Sequence, residues 1–232
     1  MKTITFIRCF FIFVSLFTCQ YLFAQNTTNQ QSPKSHASLS ILVFGDSLSA
    51  AYNIQRDQGW VSLLQDFVHQ SYPQAVITNA SISGETTDGG LVRLPAVLKQ
   101  VQPDIVILEL GGNDGLRGFN LATTRVNLQK MIELARQHQA HVLLTEIQLP
   151  PNMGKTYTQR FAQIYSDLSL ADDVTLIPGF LTEVGLNPEF MQPDGLHPNA
   201  KGQPILMQTV WRYLSPLIKE LNTSDLTSHQ RK

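Results

Sequence analysis

Five short apolar runs, at 41–44, 75–78, 105–110, 142–145 and 174–177, alternate with longer amphipathic segments along this chain. The runs are rich in Val, Ile and Leu and end at polar or turn residues, as strands buried on both faces do. The intervening segments, near 59–70, 90–101, 121–139 and 156–170, have helical spacing, and a last helix is expected from 200 to about 221. Such alternation implies a parallel sheet covered by helices on both faces. The expected fold is therefore α/β: a three-layer α/β/α sandwich around a mostly parallel, five-stranded sheet. The length of 232 residues fits one domain, and no repeat or linker divides the interior.

The two ends stand outside that alternation. Lys2 and Arg8 precede the apolar segment 9–17, and no acidic residue occurs before Asp46. A basic start, an apolar middle and the small residue Ala24 fit a secretory signal over 1–24. Thr18, Cys19 and Gln20 interrupt the apolar middle, which argues against a permanent membrane span. A flexible leader is expected over 25–38 and a polar tail over 222–232, leaving the folded domain at 39–221. Cys9 and Cys19 both fall in the signal, so the mature chain would carry neither disulfide nor thiolate. Export is the expected fate, to the periplasm first and the medium second. A formal charge of −1 without any Lys/Arg run argues against a nucleic-acid partner.

Chemistry concentrates in four segments. Gly45-Asp46-Ser47-Leu48-Ser49 follows the first run, and Asn79-Ala80-Ser81-Ile82-Ser83-Gly84-Glu85-Thr86 follows the second. Gly111-Gly112-Asn113-Asp114-Gly115 follows the third, and Asp194-Gly195-Leu196-His197-Pro198 precedes the last helix. Loops after parallel strands gather on one sheet edge, so the first three should converge. Each alone reads as a turn or helix cap; their joint occurrence in this order points to a site. A serine hydroxyl is too weakly acidic to attack an ester unaided and needs a base within hydrogen-bond reach. Imidazole, with an unperturbed pKa near ~6.5, suits that task, and an acid three residues earlier can hold its other nitrogen. Ser47 is thus the candidate nucleophile, His197 the base and Asp194 its orienting acid. Pro198 biases His197 toward an extended backbone. The chain has no Gly-x-Ser-x-Gly elbow and no His-Glu-x-x-His, and Gly111-Gly112 lacks a dinucleotide-loop pattern. Neither a metal nor a cofactor is expected.

On these residues the chain resembles the GDSL, or SGNH, hydrolase superfamily, whose Ser, Gly, Asn and His blocks match Ser47, Gly84, Asn113 and His197. The likeness continues through Glu109 to Gly118 and Met191-Gln192. It is similar there to the secreted bacterial multifunctional thioesterase, lysophospholipase and arylesterase group. Ala51 stands where some relatives have Gly. The resemblance implies the flavodoxin-like arrangement of this superfamily. It also implies an oxyanion hole built from the backbone N–H of Ser47, the backbone N–H of Gly84 and the side-chain amide of Asn113. It further implies a mobile loop around 115–120 settling over an acyl chain, which makes Leu116 and Phe119 candidate substrate contacts; on its residues alone the same segment reads equally as an ordinary surface loop. Leu149, Pro150, Pro151, Phe180 and Leu181 would add apolar wall.

The expected activity is an exported serine hydrolase acting on acyl esters, thioesters or lysophospholipids through an acyl-enzyme. Its partners would be small molecules, with only transient lipid contact and a monomer favoured over an oligomer. Two other readings use the same segments. One is a carbohydrate acetylesterase; the other is a non-catalytic flavodoxin-like binding domain, which the intact Ser47, Asp194 and His197 oppose.

Overall fold

In the computed structural model, which describes residues 38–229 and their side chains through residue 221, five strands form one wholly parallel sheet. They are β1 (Ser40–Gly45), β2 (Val76–Asn79), β3 (Ile105–Glu109), β4 (His141–Thr145) and β5 (Val174–Ile177), in the order β2-β1-β3-β4-β5. Each strand lies within one residue of its expected apolar run at either end. The helices are α1 (Trp60–Ser71), α2 (Thr87–Val101), α3 (Gly112–Leu116), α4 (Leu121–Gln137), α5 (Lys155–Leu168), α6 (Thr182–Gly185) and α7 (Gln203–His229). Helix α1 packs against α7, while α2 packs against α4 and α4 against α5, giving two helical layers around the sheet. The α/β/α sandwich expected from the alternation is the fold.

Three places depart most from expectation. Helix α2 starts at Thr87 rather than near 90, because the Thr86 side chain accepts the Gly89 N–H and caps it. Helix α7 begins at Gln203 and runs to His229, into the segment expected as a tail. Residues 222–229 contain neither Gly nor Pro, so nothing in them stops a helix. Gly111 to Gly115 has the composition of a turn, yet Gly111 at φ +112° opens the short helix α3 and the Gly115 N–H closes on its carbonyl.

Strands β1 and β3 form the centre of the core. Ile41, Leu42, Val43 and Phe44 on one, and Ile105, Val106, Ile107 and Leu108 on the other, are buried. Burying each such side chain contributes about 1.5–3 kcal/mol. Strand β2 is an edge, and its Val76 is exposed accordingly. The order of connection reverses between β1 and β3, and open α/β sheets bind ligands at such a switch point. Trp60 fixes what surrounds that point. Its indole N–H donates to the Leu48 carbonyl at 3.1 Å, its backbone N–H donates to Gln203 Oε1 at 2.9 Å, and its ring meets Phe180 edge-on. The turn after β1 is thereby tied to the starts of α1 and α7.

The expected signal and the leader through residue 37 lie outside the described residues, as do residues 230–232. Among the described residues no helix is long and apolar enough to cross a membrane.

Candidate active site

Ser47 stands in a turn held from several sides. The Asp46 carbonyl accepts the N–H groups of Ser49 and Ala50, and the Ser47 carbonyl accepts that of Tyr52. Asp46 Oδ1 accepts the Leu48 N–H at 3.1 Å, and Asn79 donates to the Ser49 carbonyl at 2.8 Å. From the far end of the chain, Asp194 Oδ1 accepts the N–H groups of Leu196 and His197 at 2.9 and 3.0 Å. Its Oδ2 lies 2.7 Å from His197 Nδ1, and His197 Nε2 lies 2.9 Å from Ser47 Oγ. Residues 150 positions apart thus meet in a continuous Asp194–His197–Ser47 relay. Gln192 joins the two loops, donating to the carbonyls of Tyr52 at 2.9 Å and Pro198 at 3.1 Å. The Tyr52 ring also lies against the His197 ring, centroids 4.5 Å apart.

The proton arrangement follows from the partners. With the Nδ1 proton directed at the Asp194 carboxylate, Nε2 offers a lone pair and the Ser47 hydroxyl donates to it. Partial desolvation pushes Asp194 up, but hydrogen bonds from the Leu196 N–H, the His197 ring and the His197 N–H outweigh it. Its carboxyl is held below the ordinary value and stays ionised. Asp46 is the opposite case. Burial raises it from 3.8 to about 6, although the Leu48 N–H, Asn113 and the nearby His197 pull it partly back. Because the folded value exceeds the unfolded one, the protonated form is the one folding favours. That stability is fully present below pH 3.8 and lost as pH rises through about 6. Thermal unfolding midpoints should therefore fall more steeply with pH in this window for the parent than for Asp46→Asn. Equal slopes would contradict the assignment.

The loop bearing Gly84 is anchored at both ends. The Ala80 and Ile82 N–H groups donate to the carbonyls of Val43 and Gly45, and the Thr87 N–H donates to Asp114 Oδ2 at 2.9 Å, next to Asn113. Gly84 sits at φ +80°, strained for any side chain, while an added Cβ would meet only Arg117, at 3.8 Å. Its requirement in the free protein is therefore conformational rather than steric. Asn113, in α3, donates one amide proton to Asp46 Oδ2 at 3.0 Å and keeps the second. Arg117 reaches across, donating to Asn113 Oδ1 at 3.4 Å and to the Gly84 carbonyl at 3.3 Å. Among the described residues no protein acceptor occupies the backbone N–H of Ser47 or of Gly84.

Ser47, Asn113 and His197 open onto a cavity of about 420 Å³. Leu116, Leu149 and Pro150 line it, together with Ile147, Leu181 and Leu186. Phe119 does not. Gly118, at φ +68°, ends α3 with its N–H on the Gly115 carbonyl and the Phe119 N–H on the Asp114 carbonyl. This helix-terminating turn sends Phe119 into a separate surface groove beside Tyr157 and Arg160. Phe180 is likewise absent from the wall, being buried against Trp60. Asp46, Tyr52 and Gln192 were not among the residues expected at the site. Asp46 lies inside the quoted motif but reads there as turn chemistry, and the other two act through contacts across the fold. Among the described residues no group of three or more His, Cys, Asp or Glu side chains is placed to hold a metal ion.

Comparison with known proteins adds four findings. The GDSL-like lipase/acylhydrolase family matches residues 43–205. Esterase TesA of Pseudomonas aeruginosa is 46% identical over 183 residues, covering 78% of this chain and 90% of that protein. Thioesterase 1/protease 1/lysophospholipase L1 of Escherichia coli K12 is 44% identical over 179 residues, covering 77% and 85%. Among solved structures, the psychrotrophic esterase EstA from Pseudoalteromonas, inhibited by monoethylphosphonate, superposes with a TM-score of 0.73 at 37% identity. That match covers 79% of this chain and 100% of the other.

Proposed function

We propose that this chain, which belongs to the GDSL-like lipase/acylhydrolase family, is an exported serine hydrolase that cleaves acyl esters and thioesters through an acyl-enzyme. Relatives named esterase, arylesterase, thioesterase and lysophospholipase support ester hydrolysis as the reaction. One observation carries the mechanism: Ser47 Oγ lies 2.9 Å from His197 Nε2, whose ring is held by Asp194 at 2.7 Å. Ser47 attacks the acyl carbon as its proton passes to His197 Nε2, and Asp194 stabilises the imidazolium that forms. The N–H groups of Ser47 and Gly84 and the free amide proton of Asn113 receive the oxyanion. His197 then gives its proton to the departing alcohol or thiol. A water that yields a proton to the same nitrogen attacks the acyl-Ser47 ester, releasing the acid and restoring the hydroxyl.

The substrate class follows from the cavity and from export. A volume of about 420 Å³ walled by Leu116, Leu149, Leu181 and Leu186 suits an acyl chain better than an acetyl group. An exported enzyme meets lysophospholipids and other envelope esters more often than intracellular acyl thioesters, so oxyesters in the periplasm are the proposed natural substrates. All the reacting groups come from one chain, which suits a monomer in transient contact with lipid. A panel of p-nitrophenyl esters of increasing acyl length tests this. The value of kcat/KM should peak at acyl chains longer than acetyl; a maximum at acetyl would contradict the acyl-chain reading and favour an acetylesterase.

A further inference from the structure

Glu109 is a buried ionisable side chain at the sheet centre that the reaction above leaves without a task. It ends β3, lies opposite Gly45 in the β1–β3 register, and is 0% exposed. A Cβ on Gly45 would stand 2.5 Å from Glu109 Oε2, so the carboxyl lies directly over the backbone that leads into the nucleophile turn. That same oxygen accepts two hydrogen bonds. The Asp46 N–H donates to it at 3.2 Å and the Ser49 hydroxyl at 2.7 Å. The two donors flank Ser47 in sequence, one residue before it and two after, and both are buried.

We propose that Glu109 is a positioning residue for the nucleophile, its carboxyl oxygen pinning Asp46 and Ser49 so that the turn between them aims the Ser47 hydroxyl at His197. The inference rests on Ser47 being the nucleophile. Asn79 and Trp60 also hold the turn, donating to the carbonyls of Ser49 and Leu48. On the sheet side Glu109 supplies the acceptor. An apolar side chain of similar size would leave the Asp46 N–H and the Ser49 hydroxyl facing the core without it. The other carboxyl oxygen, Oε1, is buried with no protein partner. A charge on Glu109 would therefore be poorly compensated, and burial together with the neighbouring Asp46 pushes the group well above its ordinary value. What the turn needs is an acceptor oxygen rather than a charge. A glutamine supplies the same oxygen.

This separates Glu109 from a residue that merely fills the core. Glu109→Leu should lower kcat on the order of 10- to 100-fold through misaim of the hydroxyl, with KM changed by less than about threefold. Glu109→Gln should restore kcat to within about threefold of the parent. Ser49→Ala, which removes one of the two bonds, should fall between them with KM again unchanged. A folded Glu109→Leu protein with parental kcat would overturn the proposal. So would a Glu109→Gln protein as impaired as the leucine variant, since that would make the charge essential. If Glu109→Leu does not fold, Ser49→Ala decides, and an unchanged kcat there overturns the role. A parallel Ser47→Ala assay keeps the two levels apart. Activity surviving Ser47→Ala would remove the underlying reading, whereas an inactive Ser47→Ala beside a fully active Glu109→Leu removes only the positioning role.

Discussion

Ser47→Ala is expected to lower kcat on the order of 10⁶-fold, the scale seen when a serine protease loses its nucleophile. The size follows from what remains after the hydroxyl is gone. The oxyanion donors and the cavity still bind and polarise the substrate, but water must attack without a covalent intermediate. His197→Ala should cost about as much, because a hydroxyl without its base has almost no alkoxide character at neutral pH. The two losses should not add. His197 Nε2, 2.9 Å from Ser47 Oγ, has no role in acylation once that oxygen is missing, so the double variant should resemble either single one. Steady-state rates on one activated ester suffice to check this. Either single variant within about tenfold of the parent would refute the assigned roles.

Asn113→Ala should reduce kcat on the order of 10²–10³-fold, the usual cost of one oxyanion-hole donor. The amide is oriented before any substrate arrives. Asp46 Oδ2 takes one of its protons at 3.0 Å and the Arg117 guanidinium faces its oxygen at 3.4 Å, which fixes which end points where. An oriented dipole costs no reorganisation when charge develops, so its loss should appear in the chemical step. KM should change by less than about threefold. An effect confined to KM would place Asn113 in ground-state binding instead.

The parts legible in the sequence were those with a local physical signature. Apolar runs such as 41–44 and 105–110 declare buried strands because a parallel strand must be apolar on both faces. The convergence of the Ser47, Gly84 and Asn113 loops was legible for a topological reason, since loops after parallel strands collect on one edge. His197 follows no strand, and its place beside Ser47 was legible only from the chemistry of a hydroxyl that needs a base and from the family resemblance. Other features depended on geometry that composition does not carry. Phe119 was expected over the acyl chain, yet the left-handed Gly118 reverses the chain just before it and turns the ring away. The short helix α3 hid within a run of glycines that favours turns. Tyr52 against His197 and Gln192 between two loops are contacts across distant segments, with no periodicity to reveal them. The burial that lifts Asp46 and Glu109 is likewise a property of the assembled sheet.

Covalent capture gives the most direct test of the nucleophile. After incubation with a fluorophosphonate, peptide mass spectrometry should find a single stoichiometric adduct on Ser47, absent from Ser47→Ala and formed far more slowly in His197→Ala. An adduct on a different residue, or none at all on the folded and active protein, would contradict it.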